Sequence, residues 1–158
     1  MANRRLTDYR LRRYYRHTKS LIEGDNVKFT KATNYALHTM SALFDASSVK
    51  PVGVQYLAEI QGVSPTYLSK ILTRLVKAGM IESVSGANGG YRLSRKKDDI
   101  TFLDIIHAIE GNASLFECDF VHGDECTIQA VMREAEEKME SYLKNTKLTD
   151  LVKSKTLV

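Results

Sequence analysis

Residues Gly62 to Leu93 read GVSPTYLSKILTRLVKAGMIESVSGANGGYRL, and this stretch decides the fold. Ser64 is suited to the position just before a helix, where its hydroxyl accepts an N–H left over in the first turn. Pro65 follows at the first helical position, where a missing N–H costs nothing. Leu68, Ile71, Leu72 and Leu75 then recur with helical period and form an apolar stripe. The other face carries Thr66, Ser69, Lys70, Thr73, Arg74 and Lys77, with no acid among them. Gly79 is placed to end this helix in a left-handed conformation. Met80 to Val84 and Tyr91 to Leu93 read as short strands around the turn-rich tip Ser85-Gly86-Ala87-Asn88-Gly89-Gly90. A helix, a turn, a basic helix and a glycine-tipped hairpin follow in the order of a winged helix-turn-helix.

Working outward, Thr30 is placed to cap a first helix from Lys31 to about Phe44, with Tyr35, Ala36, Met40, Leu43 and Phe44 inward. Val52 to Gln61 reads as a short second helix burying Val54, Leu57, Ala58 and Ile60. Beyond the hairpin, Arg95-Lys96-Lys97 is a cationic run open to phosphate contact or to solvent alone. Thr101 and Asp104 have the spacing of a capping box that opens a helix through Ile109, with Phe102, Ile105, Ile106 and Ile109 as its stripe and Gly111 as its stop. His38 and His107 fall inside helices and read as structural. A loop from Ser114 to Glu125 precedes a long helix from about Cys126 to about Asn145. On that helix Ile128, Met132, Ala135, Met139 and Tyr142 step by four and three, flanked by Val131 and Leu143. A narrow apolar seam on an otherwise polar helix seeks another helix, and a two-fold homodimer is the expected answer.

Charge divides the chain. Residues 1–26 hold seven Lys/Arg against three Asp/Glu, residues 27–97 ten against three, and residues 98–158 six against thirteen. A basic part that carries the helix-turn-helix beside an acidic part points to nucleic acid at one end only. The expected organisation is a basic, unstructured extension over 1–26, a winged helix-turn-helix domain over 27–97, and a linker helix, cysteine loop and dimerisation helix over 98–158. The extension, rich in arginine and tyrosine, reads as a translation-start extension, or as an arm lying along phosphates. The fold class is mainly α with a small β-hairpin wing. No run of about 18 apolar residues is present to span a membrane, and two cysteines in 158 residues are not a disulfide framework, so a reducing cytoplasm is expected.

Several segments together resemble the Rrf-two (BadM-type) family of bacterial winged-helix regulators. They are Val27-Lys28-Phe29-Thr30 with Tyr35-Ala36-Leu37, Val63-Ser64-Pro65-Thr66-Tyr67-Leu68, Ala78-Gly79-Met80-Ile81 and Gly89-Gly90-Tyr91-Arg92-Leu93. Ala108-Ile109-Glu110-Gly111, His122-Gly123-Asp124-Glu125-Cys126 and Leu148-Thr149-Asp150-Leu151 extend the resemblance over 27–151. It implies a homodimeric repressor on a palindromic operator, with Ser64, Thr66, Tyr67, Ser69 and Lys70 facing the major groove and the Ser85–Gly90 wing reaching toward the minor groove. The candidate DNA-contacting set is Lys28, Ser64, Thr66, Tyr67, Ser69, Lys70, Thr73, Arg74, Ser85, Gly86, Asn88, Gly89, Gly90 and Tyr91. Ser85 stands where some members carry an arginine, which leaves the wing suited to backbone contact.

Members that bind an iron–sulfur cluster place three cysteines before the dimer helix, whereas this chain has only Cys118 and Cys126. Asn34 stands where some of them use an aspartate. A cluster takes four ligands, mostly thiolates, so it is disfavoured and would need His122, Asp119, Asp124 or Glu125 to complete its set. A thiol switch of Cys118 and Cys126, and no sensory role for either, stand beside it. No metal site is expected, and no catalytic arrangement or phosphate-cradling loop is recognisable, so enzyme activity is not expected. The competing reading is a winged-helix module that docks a protein partner without specific DNA binding. The acid-free face of the central helix argues for DNA.

Overall fold

The computed structural model describes residues 29–46, 50–94, 97–114, 116 and 126–151. The elements are α1 (Lys31–Asp45), α2 (Val54–Gln61), α3 (Pro65–Lys77), β1 (Ile81–Val84), β2 (Gly90–Leu93), a 3-10 turn (Lys97–Asp99), α4 (Phe102–Glu110) and α5 (Thr127–Asn145). Strands β1 and β2 pair antiparallel, with Ile81 opposite Leu93 and Ser83 opposite Tyr91. The expected fold class, mainly α with a hairpin wing, is the one observed. The expected extension over 1–26 lies outside the described residues, as do Lys28, Arg95, Lys96 and Cys118.

Helix α3 has the caps its sequence dictates. Ser64 Oγ accepts the Tyr67 N–H at 3.2 Å, Pro65 opens the helix, and Gly79 takes φ of 71° just beyond its end. Leu68, Leu72 and Leu75 are fully buried and Ile71 nearly so. They meet Ala36, Met40 and Leu43 of α1, Leu57 and Ala58 of α2, and Ile105 and Ile109 of α4 in one core. Burying each such side chain contributes about 1.5–3 kcal/mol.

Helix α2 begins at Val54, not Val52 as expected from sequence. The main chain of Val52 is already committed to the wing: its N–H donates to the Tyr91 carbonyl at 2.8 Å and its carbonyl accepts the Tyr91 N–H at 2.9 Å. A Cβ on Gly90 would come within 2.5 Å of the Val52 carbonyl oxygen, so this close pairing requires glycine there. In α1 the buried face includes Thr33 and Thr39 as well as the expected Ala36, Met40 and Leu43, while Tyr35 and Phe44 are only half-buried. Two threonines can be buried because their hydroxyls have partners. Thr39 Oγ1 accepts from Gln61 Nε2 at 2.8 Å, and Thr33 donates to Glu110. In α4, Leu103 takes the buried position expected for Phe102. The Thr101–Asp104 capping box is present in both directions, with Asp104 N–H on Thr101 Oγ1 at 3.2 Å and Thr101 N–H on Asp104 Oδ2 at 2.9 Å.

The expected boundary at residue 97 is not a break in packing. Ile100, Ile105, Ile109 and Leu148 belong to the same core as α1–α3. After α5 the chain returns to that core: Phe102 N–H donates to the Thr146 carbonyl at 3.0 Å and Leu148 N–H to the Ile100 carbonyl at 2.9 Å. The C-terminal part is therefore sewn to the winged part.

Thr30 occupies the N-cap position of α1 but its hydroxyl does not cap that helix. It donates to Glu110 Oε1 at 2.7 Å, and the Thr30 N–H donates to the same oxygen at 2.9 Å. Glu110 thus replaces the expected cap with a carboxylate, which also suits the positive end of the α1 dipole. Burial alone would raise the Glu110 pKa. Hydrogen bonds from Thr33 and Thr30, together with the Arg74 charge, overcome this and hold it below its ordinary 4.5. Its stabilising contribution is therefore fully present above the unfolded-state value and is lost as pH falls through the folded-state value. We expect Glu110→Gln to cost about 1 kcal/mol near neutral pH, a figure reduced for the exposure of the carboxylate. Urea denaturation followed down to about pH 3 should show the wild type converging on the variant. A gap that stays constant with pH would refute this role.

Candidate nucleic-acid interface

The surface of α3 turned away from the core carries Thr66, Tyr67, Lys70, Thr73 and Lys77, all exposed, with Ser69 half-buried among them and Ser64 exposed at the helix start. The sequence assigned the first four, Ser64, Ser69 and Arg74 to a nucleic-acid face, and the structure brings all but the Arg74 guanidinium onto one open surface. Tyr67 is 38% exposed, and its ring meets that of Tyr35 edge to face, with centroids 5.9 Å apart. This contact braces an aromatic side chain at the first turn of the helix. Among the described residues no carboxylate pairs with Lys70. Ser69 Oγ donates to the Pro65 carbonyl at 2.8 Å and Thr73 Oγ1 to the Ser69 carbonyl at 2.8 Å.

Arg74 is placed differently from the expectation of a phosphate contact. Its Nη1 donates to the Ile109 carbonyl at 2.8 Å, and its charge acts on Glu110. The reason is the free carbonyl in the last turn of α4: a cation there satisfies an orphan acceptor and the helix dipole together. The helical face was legible from the sequence, but not the direction taken by a long side chain upon it.

On the wing, Ser85, Gly86 and Asn88 are exposed, and Gly89 N–H closes a turn on the Gly86 carbonyl at 2.9 Å. Gly90 and Tyr91, assigned with them to DNA contact, serve the frame: Gly90 lets β2 approach Val52, and the half-buried Tyr91 packs on the core. Arg92, not singled out from the sequence, is exposed across the hairpin, where its Nε and Nη2 donate to Glu82 Oε2 at 3.2 and 3.0 Å. The signal that could have found it is the strand alternation that puts Glu82 opposite Arg92. An exposed pair of this kind is weak, so the guanidinium stays available at the wing.

Helix α5 has no buried residue. Its polar side faces its own domain, where Glu140 Oε1 lies 3.8 Å from His107 Nε2 and Glu136 Oε2 accepts from Ser114 Oγ at 2.8 Å. The assigned seam is open: Ile128 is 65% exposed, Met132 41% and Tyr142 71%, with Ala135 exposed and Met139 half-buried. Val131 beside them is 66% exposed. Burial pushes the pKa of His38, in α1, below its ordinary value, in keeping with a structural histidine. Cys126, half-buried, holds the N-cap position of α5. Among the described residues no group of three or more His, Cys, Asp or Glu is arranged to hold a metal, and no helix is long and apolar enough to cross a membrane.

Comparison with known proteins agrees with this geometry. A family profile, Rrf2, described as an iron-dependent transcriptional regulator, matches residues 29–154. Protein aau3 of Rhizobium meliloti is 34% identical over 135 residues, covering 82% of this chain and 87% of its own. The HTH-type transcriptional regulator IscR of Xenorhabdus nematophila is 30% identical over 136 residues, 84% of this chain and 83% of its own. The solved structure of CymR, the global cysteine regulator of B. subtilis, superposes with a TM-score of 0.71 at 27% identity, over 82% of this chain and 98% of its own. With its fold, its exposed basic helix and its profile match in accord, the chain belongs to the Rrf2 family of transcriptional regulators.

Proposed function

We propose that the protein is a cytoplasmic repressor that binds a palindromic operator as a homodimer, reading the major groove with α3 and steadying itself with the wing. It acts by binding and not as an enzyme. The observation that carries this reading is the outer face of α3: it is exposed, free of acids, and set between a capped start and a buried apolar stripe. Lys70 and Lys77 supply charge for phosphates, while the hydroxyl side chains and the braced Tyr67 are of a size to reach base edges. Lys70→Ala should weaken operator binding about five- to tenfold and lower the salt slope by about one, with the melting temperature unchanged. Arg74→Ala should instead lower the melting temperature, since it uncaps α4. Unchanged affinity and slope in Lys70→Ala would remove α3 from the phosphate contacts.

The dimer is supported by the division of α5, which keeps its polar side on its own domain and leaves Ile128, Val131, Met132 and Tyr142 uncovered. Met132→Glu would bury an uncompensated charge in such an interface, at a cost on the order of 3 kcal/mol. Sedimentation should then show a monomer that has lost operator affinity while its melting transition persists. A wild type that sediments as a monomer at micromolar concentration would sink the dimer outright.

The family description is iron-dependent, but the donors in this chain do not fit a four-thiolate cluster. Two cysteines are present, and Asn34 of α1 offers a neutral amide in place of a carboxylate. No step of the proposed function runs through a cluster. A thiol response involving Cys118 and Cys126 is the regulation we propose, since a separation of eight positions allows Cα atoms within the roughly 7 Å that a disulfide needs. Peroxide should lower operator affinity of the wild type, and Cys126→Ser or Cys118→Ser should abolish the response while leaving reduced-state binding intact. Serine variants that remain as sensitive to peroxide as the wild type would exclude the switch.

A further inference from the structure

Ser69 and Thr73 stand one turn apart on the outer face of α3, where side chains four residues apart lie one above the other. Each hydroxyl is 2.8 Å from a main-chain carbonyl of the preceding turn, Ser69 on Pro65 and Thr73 on Ser69. A carbonyl oxygen cannot donate, so the hydrogen between each pair comes from the hydroxyl. Both side chains have committed their single donor to their own helix. What remains toward an outside partner is the lone pairs of two oxygens and, on Thr73, a methyl group. Turning either hydrogen outward would break a bond already made.

Base edges in the major groove differ in this respect. Adenine offers a donor at N6 and cytosine one at N4, whereas guanine offers only acceptors at O6 and N7. We infer that Ser69 and Thr73 are acceptor-only specificity residues that select adenine or cytosine, the bases carrying an exocyclic amine in the major groove, and reject guanine and thymine at the base they face. This rests on the reading of α3 as the groove-entering helix and deepens it. Lys70, next to Ser69 on the same exposed surface, supplies the donors this pair lacks, so the two polarities of the face are carried by different residues. Thr73 is exposed and Ser69 half-buried, which makes Thr73 the better test position. Its methyl group adds an apolar contact suited to a thymine C5-methyl in an adenine–thymine pair.

The experiment uses the full chain and an operator that it selects from random-sequence duplex DNA. Each adenine of the selected site is then replaced singly by purine, and each cytosine by pyrimidin-2-one, which removes the amine. At one position in each half-site the wild type should lose about five- to tenfold in affinity on losing the amine. Thr73→Val, similar in shape but without the oxygen, should show no loss on the same replacement, and Thr73→Ser should retain it. Changes in the duplex itself cancel when variants are compared on the same DNA. Melting temperatures confirm folding, and Thr73→Ala carries the comparison if the valine variant does not fold. Equal losses in the wild type and the oxygen-free variant at every position would overturn the inference and leave operator binding standing. A selection that returns no preferred sequence would overturn both the inference and the proposed function.

Discussion

The arrangement of α1, α3 and α4 depends on one junction of two charges at two helix ends. Glu110 closes α4 and places its carboxylate at the N-terminus of α1, accepting from the Thr30 N–H and from the hydroxyls of Thr30 and Thr33. Arg74, in the last turn of α3, donates to the Ile109 carbonyl in the last turn of α4. Each charge sits at the helix terminus whose dipole favours it, the anion at an N-terminus and the cation at a C-terminus. Each also satisfies a main-chain group that a helix end leaves over. The apolar stripes press these helices together without direction, and the junction fixes which turn meets which. Because α3 is one of the three, the same bonds that hold the fold also aim its exposed outer face, the proposed nucleic-acid surface.

This explains which features the sequence disclosed. The caps, stripe and outer face of α3 depend on neighbours within four residues, and all were legible in Ser64, Pro65 and the leucines. So was the Thr101–Asp104 box, and so was the seam of α5, whose periodicity lies within one helix. Glu110 was opaque as a capping group because its partner Thr30 is 80 residues away. The start of α2 was misread for the same reason: Val52 looks like a helical residue until Tyr91 claims its main chain. Arg74 stands on the expected face, yet a side chain of its length can reach a neighbouring element that no helical period reveals.

The wing illustrates a separation between frame and contact. Gly90 and Tyr91 hold the hairpin to Val52 and to the core, so they fix where Ser85, Gly86 and Asn88 are presented. A hairpin of four-residue strands is marginal alone; the bridge from Val52 to Tyr91 and the packing of Tyr91 and Leu93 on the core support it. The exposed tip then consists of small residues with little reach. Charge on the wing comes from Arg92 instead, on the outer side of β2 and weakly held by Glu82.

The position of the second cysteine follows from the same geometry. Cys126 starts α5, while α4 ends at Glu110, so the chain between them leaves from the charged junction and returns to the helix with the uncovered seam. Two further links close the circuit: Glu136 and Glu140 lean on Ser114 and His107, and the chain after α5 bonds back to Ile100 and Phe102. Helix α5 is thus tied to the winged part along its polar side and just beyond its C-terminal end. In the proposed homodimer, these ties would set the spacing of the two α3 helices once two seams meet. On the proposed palindromic operator, that spacing would be as much a determinant of binding as the side chains on α3.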